Sequence, residues 1–137
     1  MTTHPDLGQV IYTTLLNHAG VSALVSTRIY DQIAQDGDGL PALPYVVFYI
    51  ASELMANTTP RDDLDATFRV EAVGERLSQA KSVQDAVYTA LHRQGLTIAG
   101  WSNYWTVFDR LTTLVDVTEG RKYYRRIMDF RVKVSAS

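Results

Sequence analysis

Two long stretches of alternating side-chain polarity lie near the C-terminal end of the chain, and they constrain its fold more than any other feature. They are Trp105–Val117 and Lys122–Val134, with Glu119-Gly120 between them. From Met128 to Val134, apolar and charged residues alternate at every position. Successive side chains of a strand point to opposite faces, so this pattern predicts an antiparallel hairpin with one face on a core. Each arm exceeds ten residues, against about 5–6 for a usual strand, which favours an assembly element over part of an enzyme.

Two segments carry the spacing of apolar residues that is typical of amphipathic helices. The first is Pro5–Ala19, which opens with a proline where a missing N–H costs little. The second is Ser78–Arg93, for which Ser78 is a suitable N-cap and Gly95 a suitable residue beyond the C-terminus. Between them, the short apolar segment Val21–Ser26 predicts a single further helical turn.

Strands are predicted between the two helices and after the second one. Tyr45–Met55 begins with an uninterrupted apolar run, so we expect its start to be covered on both faces of the sheet. Ala66–Val73 alternates between apolar and charged residues. The element order predicts an α+β fold, a mostly antiparallel sheet flanked by an N-terminal and a central helix, with residues 1–137 in one domain. The remaining predictions are strands at Arg28–Ile33 and Leu96–Ala99 and loops at Gln35–Leu43 and Ala56–Asp65.

Composition narrows the class of protein. The chain has 137 residues and no cysteine, which excludes disulfides and thiolate sites. Its most apolar stretch, Leu40–Ala56, contains two prolines and Glu53 and is shorter than the roughly 20 residues that cross a bilayer. The first residues, Met1–Asp6, lack the basic and apolar regions of a signal peptide. We therefore expect a soluble protein with no membrane partner.

Residues suited to catalysis or metal binding are scattered. The histidines lack the spacing of a metal site, and Asp62, Asp63 and Asp65 lack the glycine and distal glutamate of a calcium loop. Asp36 and Asp38 look more like such a loop, but Leu40-Pro41 follows them, and solvated turns are the favoured interpretation in both places. No nucleophile elbow, zinc-protease or phosphate-loop motif occurs. We expect no catalytic residue, no cofactor and no metal. A small ligand-binding module or an enzyme whose groups converge from distant positions remains the alternative.

Charge is distributed unevenly along the chain. Residues 1–68 hold eight acids and two bases, a formal charge of −6, whereas residues 69–137 hold seven acids and eleven bases, a charge of +4. Two segments stand out, an acidic one in the loop at Ala56–Asp65 and a basic, aromatic one near the hairpin turn. The basic segment suits a subunit interface, a solvated hairpin tip or phosphate contacts with nucleic acid. We predict an interface that contains Arg61, Asp62, Asp63, Asp65, Arg121, Lys122, Tyr123, Tyr124, Arg125 and Arg126.

An ordered set of short motifs covers nearly the whole chain, beginning after the first helix. In this order and spacing they resemble the tail terminator, or tail completion, family of long-tailed bacteriophages and phage-derived gene transfer particles. The acidic Ala56–Asp65 loop is longer than the family pattern. The motifs are Arg28-Ile29-Tyr30, Leu43-Pro44-Tyr45-Val46-Val47-Phe48, Ala80-Lys81, Val83-x-x-Ala86-Val87-x-x-Ala90-Leu91, Tyr123-Tyr124 and Asp129-Phe130-Arg131-Val132.

The resemblance implies a structural virion protein without catalytic residues. Members of the family form a six-fold ring that caps the head-proximal end of the tail tube and stops tube growth. The implied partners are further copies of the chain, the major tail tube protein and a neck or stopper (head-completion) protein. DNA would pass through the lumen without sequence-specific binding. The implied location is the tail–neck junction of the virion, after assembly in the bacterial host cytoplasm.

Overall fold

The protein folds as one antiparallel-rich sheet covered on one face by helices. A computed structural model describes residues 5–32, 41–57, 62–118 and 120–136. The described strands form a five-stranded sheet in the order β1-β2-β3-β5-β4, in which only β1 and β2 run parallel. This confirms the α+β class. The elements are α1 (Leu7–Asn17), α2 (Ala19–Val25), β1 (Ile29–Asp31), β2 (Tyr45–Asn57), β3 (Asp62–Gly74), α3 (Leu77–Leu91), β4 (Trp101–Thr118) and β5 (Arg121–Ala136).

The predicted hairpin is present and is longer than expected. β4 and β5 pair from Thr118 and Arg121 at the turn to Trp101 and Ala136 at the far end. Gly120, at the turn, has a φ of 76°, a left-handed conformation that glycine adopts without strain. β5 also pairs with β3 along its other side. The hairpin is therefore built into the sheet through β5, and β4 forms one edge of the sheet.

The main core lies between the helices and one face of the sheet. Met128, Phe130, Val132 and Val134 are buried there, as the alternation predicted. The ring of Phe68 stacks on that of Phe130 with centroids 5.2 Å apart. The helices contribute Leu7, Ile11, Leu15, Val83, Val87 and Leu91 to the same cluster.

A smaller apolar cluster lies on the opposite face of the sheet. Tyr45 and Val47 pack there with Val73 and Tyr123. Val46 and Phe48, which alternate with the first two along β2, belong to the main core. All four residues at the start of β2 are buried, so the prediction that this run is covered on both faces is confirmed.

The predicted bounds of the loop at Ala56–Asp65 are wrong. β2 continues to Asn57 and β3 already begins at Asp62, while residues 58–61 lie outside the described part of the chain. Leu64 is buried between Asp63 and Asp65, which are only partly buried. The aspartates therefore occupy the polar side of an alternating strand. The predicted loop at Gln35–Leu43 falls largely on residues 33–40, also outside the described ranges.

The N-terminal helix is divided in two. α1 ends at Asn17, and His18 adopts an extended conformation that separates it from α2. The Nδ1 atom of His18 accepts a hydrogen bond from the Val21 N–H at 3.3 Å and so caps α2. Asp6 caps α1 by accepting from the Gln9 N–H. The helix predicted at Pro5–Ala19 is thus shorter, and the turn predicted at Val21–Ser26 belongs to a seven-residue helix.

The ends of α3 also differ from the prediction. The helix begins at Leu77, so Ser78 is not its N-cap, and the N–H of Glu75 donates instead to the side chain of Gln79. At the C-terminus, Arg93 has a φ of 58°, the left-handed position predicted for Gly95. The Arg93 N–H donates to the carbonyl of Thr106 at 2.7 Å, so a contact with β4 fixes where the helix stops.

Leu96–Ala99 is not a strand. Within it, Ile98 makes only an isolated bridge to Trp101. The Leu96 N–H donates to the Asn103 side chain rather than to a neighbouring strand. Leu96 and Ile98 are buried, so the apolar alternation in this segment reflects burial against the core without strand pairing.

Gly74 marks the closest approach between the sheet and α3. A Cβ atom at this position would lie 2.7 Å from the backbone nitrogen of Ala80, whereas a Cβ at Gly95 would meet nothing within 4 Å. We expect Gly74→Ala to lower the free energy of unfolding by about 1–3 kcal/mol because the helix must shift. Gly95→Ala should leave it unchanged or slightly raised. Urea unfolding followed by tryptophan fluorescence measures both, and equal stabilities would contradict this account of the packing.

Candidate assembly interface

The acidic and basic segments lie at opposite ends of the sheet. Asp63 pairs with Ser135 where β3 begins and β5 ends, and Gly74 pairs with Tyr124 where β3 ends and β5 begins. The strand between these two positions spans roughly 35 Å at about 3.3 Å per residue. We call them the acidic end and the hairpin end. The predicted interface residues therefore do not meet within one subunit.

At the acidic end, Asp63 and Asp65 point to the face away from the helices. Asp65 lies beside Leu54 of β2 and Lys133 of β5 in the strand register. The Oδ1 atom of Asp63 is buried and has no hydrogen-bond partner among the described residues. Arg61 lies outside the described ranges, as does the side chain of Asp62. Lys133 belongs to the basic half of the sequence but pairs with Asp65 at the acidic end. Folding therefore brings some opposite charges of the two halves together.

At the hairpin end, Arg121 and Lys122 are exposed. The guanidinium of Arg121 lies 5.8 Å from the centre of the Tyr123 ring. Tyr123 itself is buried in the smaller apolar cluster, and Tyr124 is partly buried. Arg121 and Lys122 are thus the residues of the basic segment that present their charges most openly to a partner.

Arg125 is engaged within the subunit. Its Nε atom donates to Asp116 Oδ2 at 3.0 Å, and its Nη1 atom donates to Glu71 Oε1 at 3.3 Å. Burial opposes the charged guanidinium, but Tyr45 and the two carboxylates outweigh it and raise the pKa of Arg125 above its ordinary value. Burial also raises the pKa of Tyr45, with Arg125 partly opposing that shift. This cluster joins three strands of the sheet on the face opposite the helices.

Arg126 points to the other face. Its Nε atom donates to Gln84 Oε1 of α3 at 2.9 Å, and its Nη1 atom donates to Thr113 Oγ1 of β4 at 2.8 Å. Arg126 therefore ties the helix layer to the hairpin. Both Arg125 and Arg126 have structural contacts that the linear sequence does not show.

A further ion pair was not predicted from the sequence. Arg69 donates from Nε to Asp129 Oδ1 at 2.7 Å and from Nη2 to Asp129 Oδ2 at 3.3 Å. It also donates to the Tyr49 hydroxyl. Hydrogen bonding with Asp129 raises the pKa of Arg69 above its ordinary value. The alternation of each strand places Arg69 and Asp129 on its polar side. It does not predict that β3 and β5 lie next to each other, which brings the two side chains together.

Among the described residues, no group of three or more His, Asp or Glu side chains is placed to hold a metal ion. No helix in the described ranges is both long and apolar enough to cross a bilayer. A cavity of about 900 Å³ lies between the start of α1, the end of β1 and β2, and Asp6, Asp31 and Glu53 contribute carboxylates to its lining.

Comparisons with known proteins agree with the family resemblance. A family model described as Tail completion protein gp17 matches residues 9–135. In solved structures, a chain from the virion of a native gene transfer agent (GTA) particle is similar in fold, with a TM-score of 0.75. The sequences are 23% identical, and the match covers 95% of each chain. Among curated protein sequences, none matches significantly.

The contacts of Arg125 predict a structural role that its exposed neighbour does not share. Arg125→Glu would set a third carboxylate beside Glu71 and Asp116, and we expect it to lower the free energy of unfolding by about 1–3 kcal/mol. Lys122→Glu makes the same charge change on an exposed side chain and should alter stability by less than about 0.5 kcal/mol. Urea denaturation compares the two variants. Equal losses would contradict the intramolecular role of Arg125.

Proposed function

Since the chain belongs to the Tail completion protein gp17 family, we propose that it forms a ring that caps the head-proximal end of a tail tube. In this role it ends tube polymerisation and joins the tail to the head and neck. The observation that carries the proposal is the family match over residues 9–135. Family membership makes the chain a structural protein of phage tails; the ring and the termination of the tube are the proposed mechanism.

The position of the two charged segments supports this role. A subunit that joins two different structures needs two different contact surfaces. The acidic end and the hairpin end lie roughly 35 Å apart along β3, and they carry different side chains. Asp63 and Asp65 mark one end, and Arg121 and Lys122 mark the other. We assign these ends to contacts with the neighbouring components of the particle.

The proposed partners follow from the same role. They are further copies of the chain in a six-fold ring, the major tail tube protein and a neck or stopper protein. DNA passes through the lumen without base-specific contacts. The proposed location is the tail–neck junction of the virion, and assembly takes place in the host cytoplasm. The likeness to a component of a gene transfer agent virion supports a place in the particle. Residues 1–137 act as a single domain.

We propose no enzymatic activity for the chain. The alternative, a ligand-binding module, requires an apolar pocket with a few convergent polar groups. The cavity of about 900 Å³ is lined by the carboxylates of Asp6, Asp31 and Glu53 together with apolar residues such as Leu7 and Ile50, whereas the family match points to the structural role. Arg125 and Arg69 bind carboxylates within the subunit and hold strands together.

Loss of the protein should change tail length. Without a cap, tube subunits continue to add at the open end, so particles from a strain that lacks this gene should carry tails of irregular, extended length and free heads. Negative-stain electron microscopy measures the length distribution, and expression of the wild-type chain from a plasmid provides the control. Tails of normal, uniform length joined to heads would contradict the proposal.

The exposed charges of the hairpin end should matter for joining but not for folding. We expect Arg121→Glu with Lys122→Glu to reduce the number of joined particles by roughly tenfold, which corresponds to about 1.4 kcal/mol of lost affinity. The control is Lys81→Glu with Arg93→Glu, an equal charge change at exposed positions elsewhere. Particle counts by electron microscopy and thermal unfolding of the purified variants give the two readouts. Equal particle counts for the two pairs would count against a role for this end.

A further inference from the structure

The outer side of β4 is an open sheet edge beyond Phe108, whereas His92 and Arg93 at the end of α3 bind its backbone at Phe108 and Thr106. β4 is 18 residues long and pairs with β5 on one side. Within the described ranges no strand pairs with its other side. An open edge presents unpaired backbone N–H and C=O groups, and proteins normally guard it with charges, prolines or bulges.

The middle of this edge has no such guard. Residues 111–115 read Leu-Thr-Thr-Leu-Val, with no charge and no proline, and the nearest bulge precedes them at Phe108 and Arg110. Uncharged segments of this kind, rich in β-branched residues, readily add another strand. We therefore expect this part of β4 to accept a further strand.

The same segment exposes apolar side chains on both faces of the sheet. Leu114 is 47% exposed, Val115 49% and Val117 63%, and Leu111 is also exposed. In the register, Leu111, Val115 and Val117 share the helix side, whereas Leu114 shares the opposite side with Arg125. These four are half of the eight large hydrophobic residues exposed in the described part of the chain. Such a concentration of apolar surface on one strand is typical of an interaction site.

The opposite edge of the sheet is open as well. β1 pairs with β2 only at residues 46–48, so among the described residues Tyr49–Asn57 has no strand on that side. Leu54, in this stretch, is 69% exposed. The cavity beside it is lined by Asp6, Asp31 and Glu53, all of them exposed.

The two edges can pair with each other because each presents unpaired backbone N–H and C=O groups, which strand addition needs on both sides. Along β4 the exposed Asp109 and Arg110 lie next to each other, so no single sign of charge opposes the approach of the β2 edge.

We propose that the β4 edge of one copy packs against the β2 edge of a second copy, so that the sheet continues from subunit to subunit. This contact joins two different patches, which is the arrangement that closes a ring. The proposal rests on the function given above and specifies its subunit contact.

Photo-cross-linking in assembled particles tests the contact directly. With p-benzoylphenylalanine at Val115, irradiation should join two copies of this chain, and the cross-linked tryptic peptide of the second copy should be 29–61, which contains β2. A cross-link only to another tail protein, or no cross-link in particles that contain the chain, would overturn the edge contact and leave the function intact. If the chain is missing from purified wild-type particles, both proposals fail.

Substitutions separate the contact from the fold. Leu114→Lys with Val115→Lys places two charges on the open edge, and we expect joined particles to fall at least tenfold while the melting temperature stays within a few degrees. The control is Leu24→Lys with Leu77→Lys, which changes exposed apolar residues of the helices. If the first pair fails to fold, Val117→Lys, at the most exposed of the four positions, replaces it. A folded β4 variant that yields as many joined particles as the control would overturn the proposal.

Discussion

The pairing of β3 with β5 is the constraint on which the rest of the structure depends. A single register places Phe68 against Phe130 on the helix side, with ring centroids 5.2 Å apart. The same register places Arg69 against Asp129 on the other side, with a 2.7 Å ion pair. A slip of one residue would turn every side chain to the wrong face. Because both faces favour one alignment, the two central strands are fixed, and β2 and β4 take their places on either side.

This arrangement divides the basic segment into structural and available charges. Arg125 and Arg126 fall where β5 is flanked by other strands, and their guanidinium groups bind Glu71, Asp116, Gln84 and Thr113. Arg121 and Lys122 lie beyond the last β3 pair and remain exposed. Neighbouring residues of one motif thus differ, with Arg125 and Arg126 engaged within the subunit and Arg121 and Lys122 open to solvent. Arginine suits the structural role because its planar group can bind two partners at once.

The sequence allowed the hairpin and the fold class to be predicted because long alternation is a local signal. The start of β3 was misplaced because several aspartates close together resemble a turn, although Leu64 continues the alternation. The end of α3 was missed because the Arg93 N–H finds its acceptor on Thr106, far along the chain. The interface residues could be proposed from charge, but the partners of Arg125, such as Glu71, lie on another strand. A local sequence pattern can predict a strand, but it does not predict which strands lie side by side in the sheet.

Among the described strands, the register shifts lie on β2 and β4. β4 shifts register between Asn103 and Trp105 and again between Phe108 and Arg110, and β2 shifts between Ile50 and Ser52, whereas β3 and β5 pair without interruption. A bulge bends its strand and increases its twist. The rims of the sheet are therefore arcs rather than straight lines. If copies pack edge to edge as proposed, the curvature of these strands would set the angle between one copy and the next.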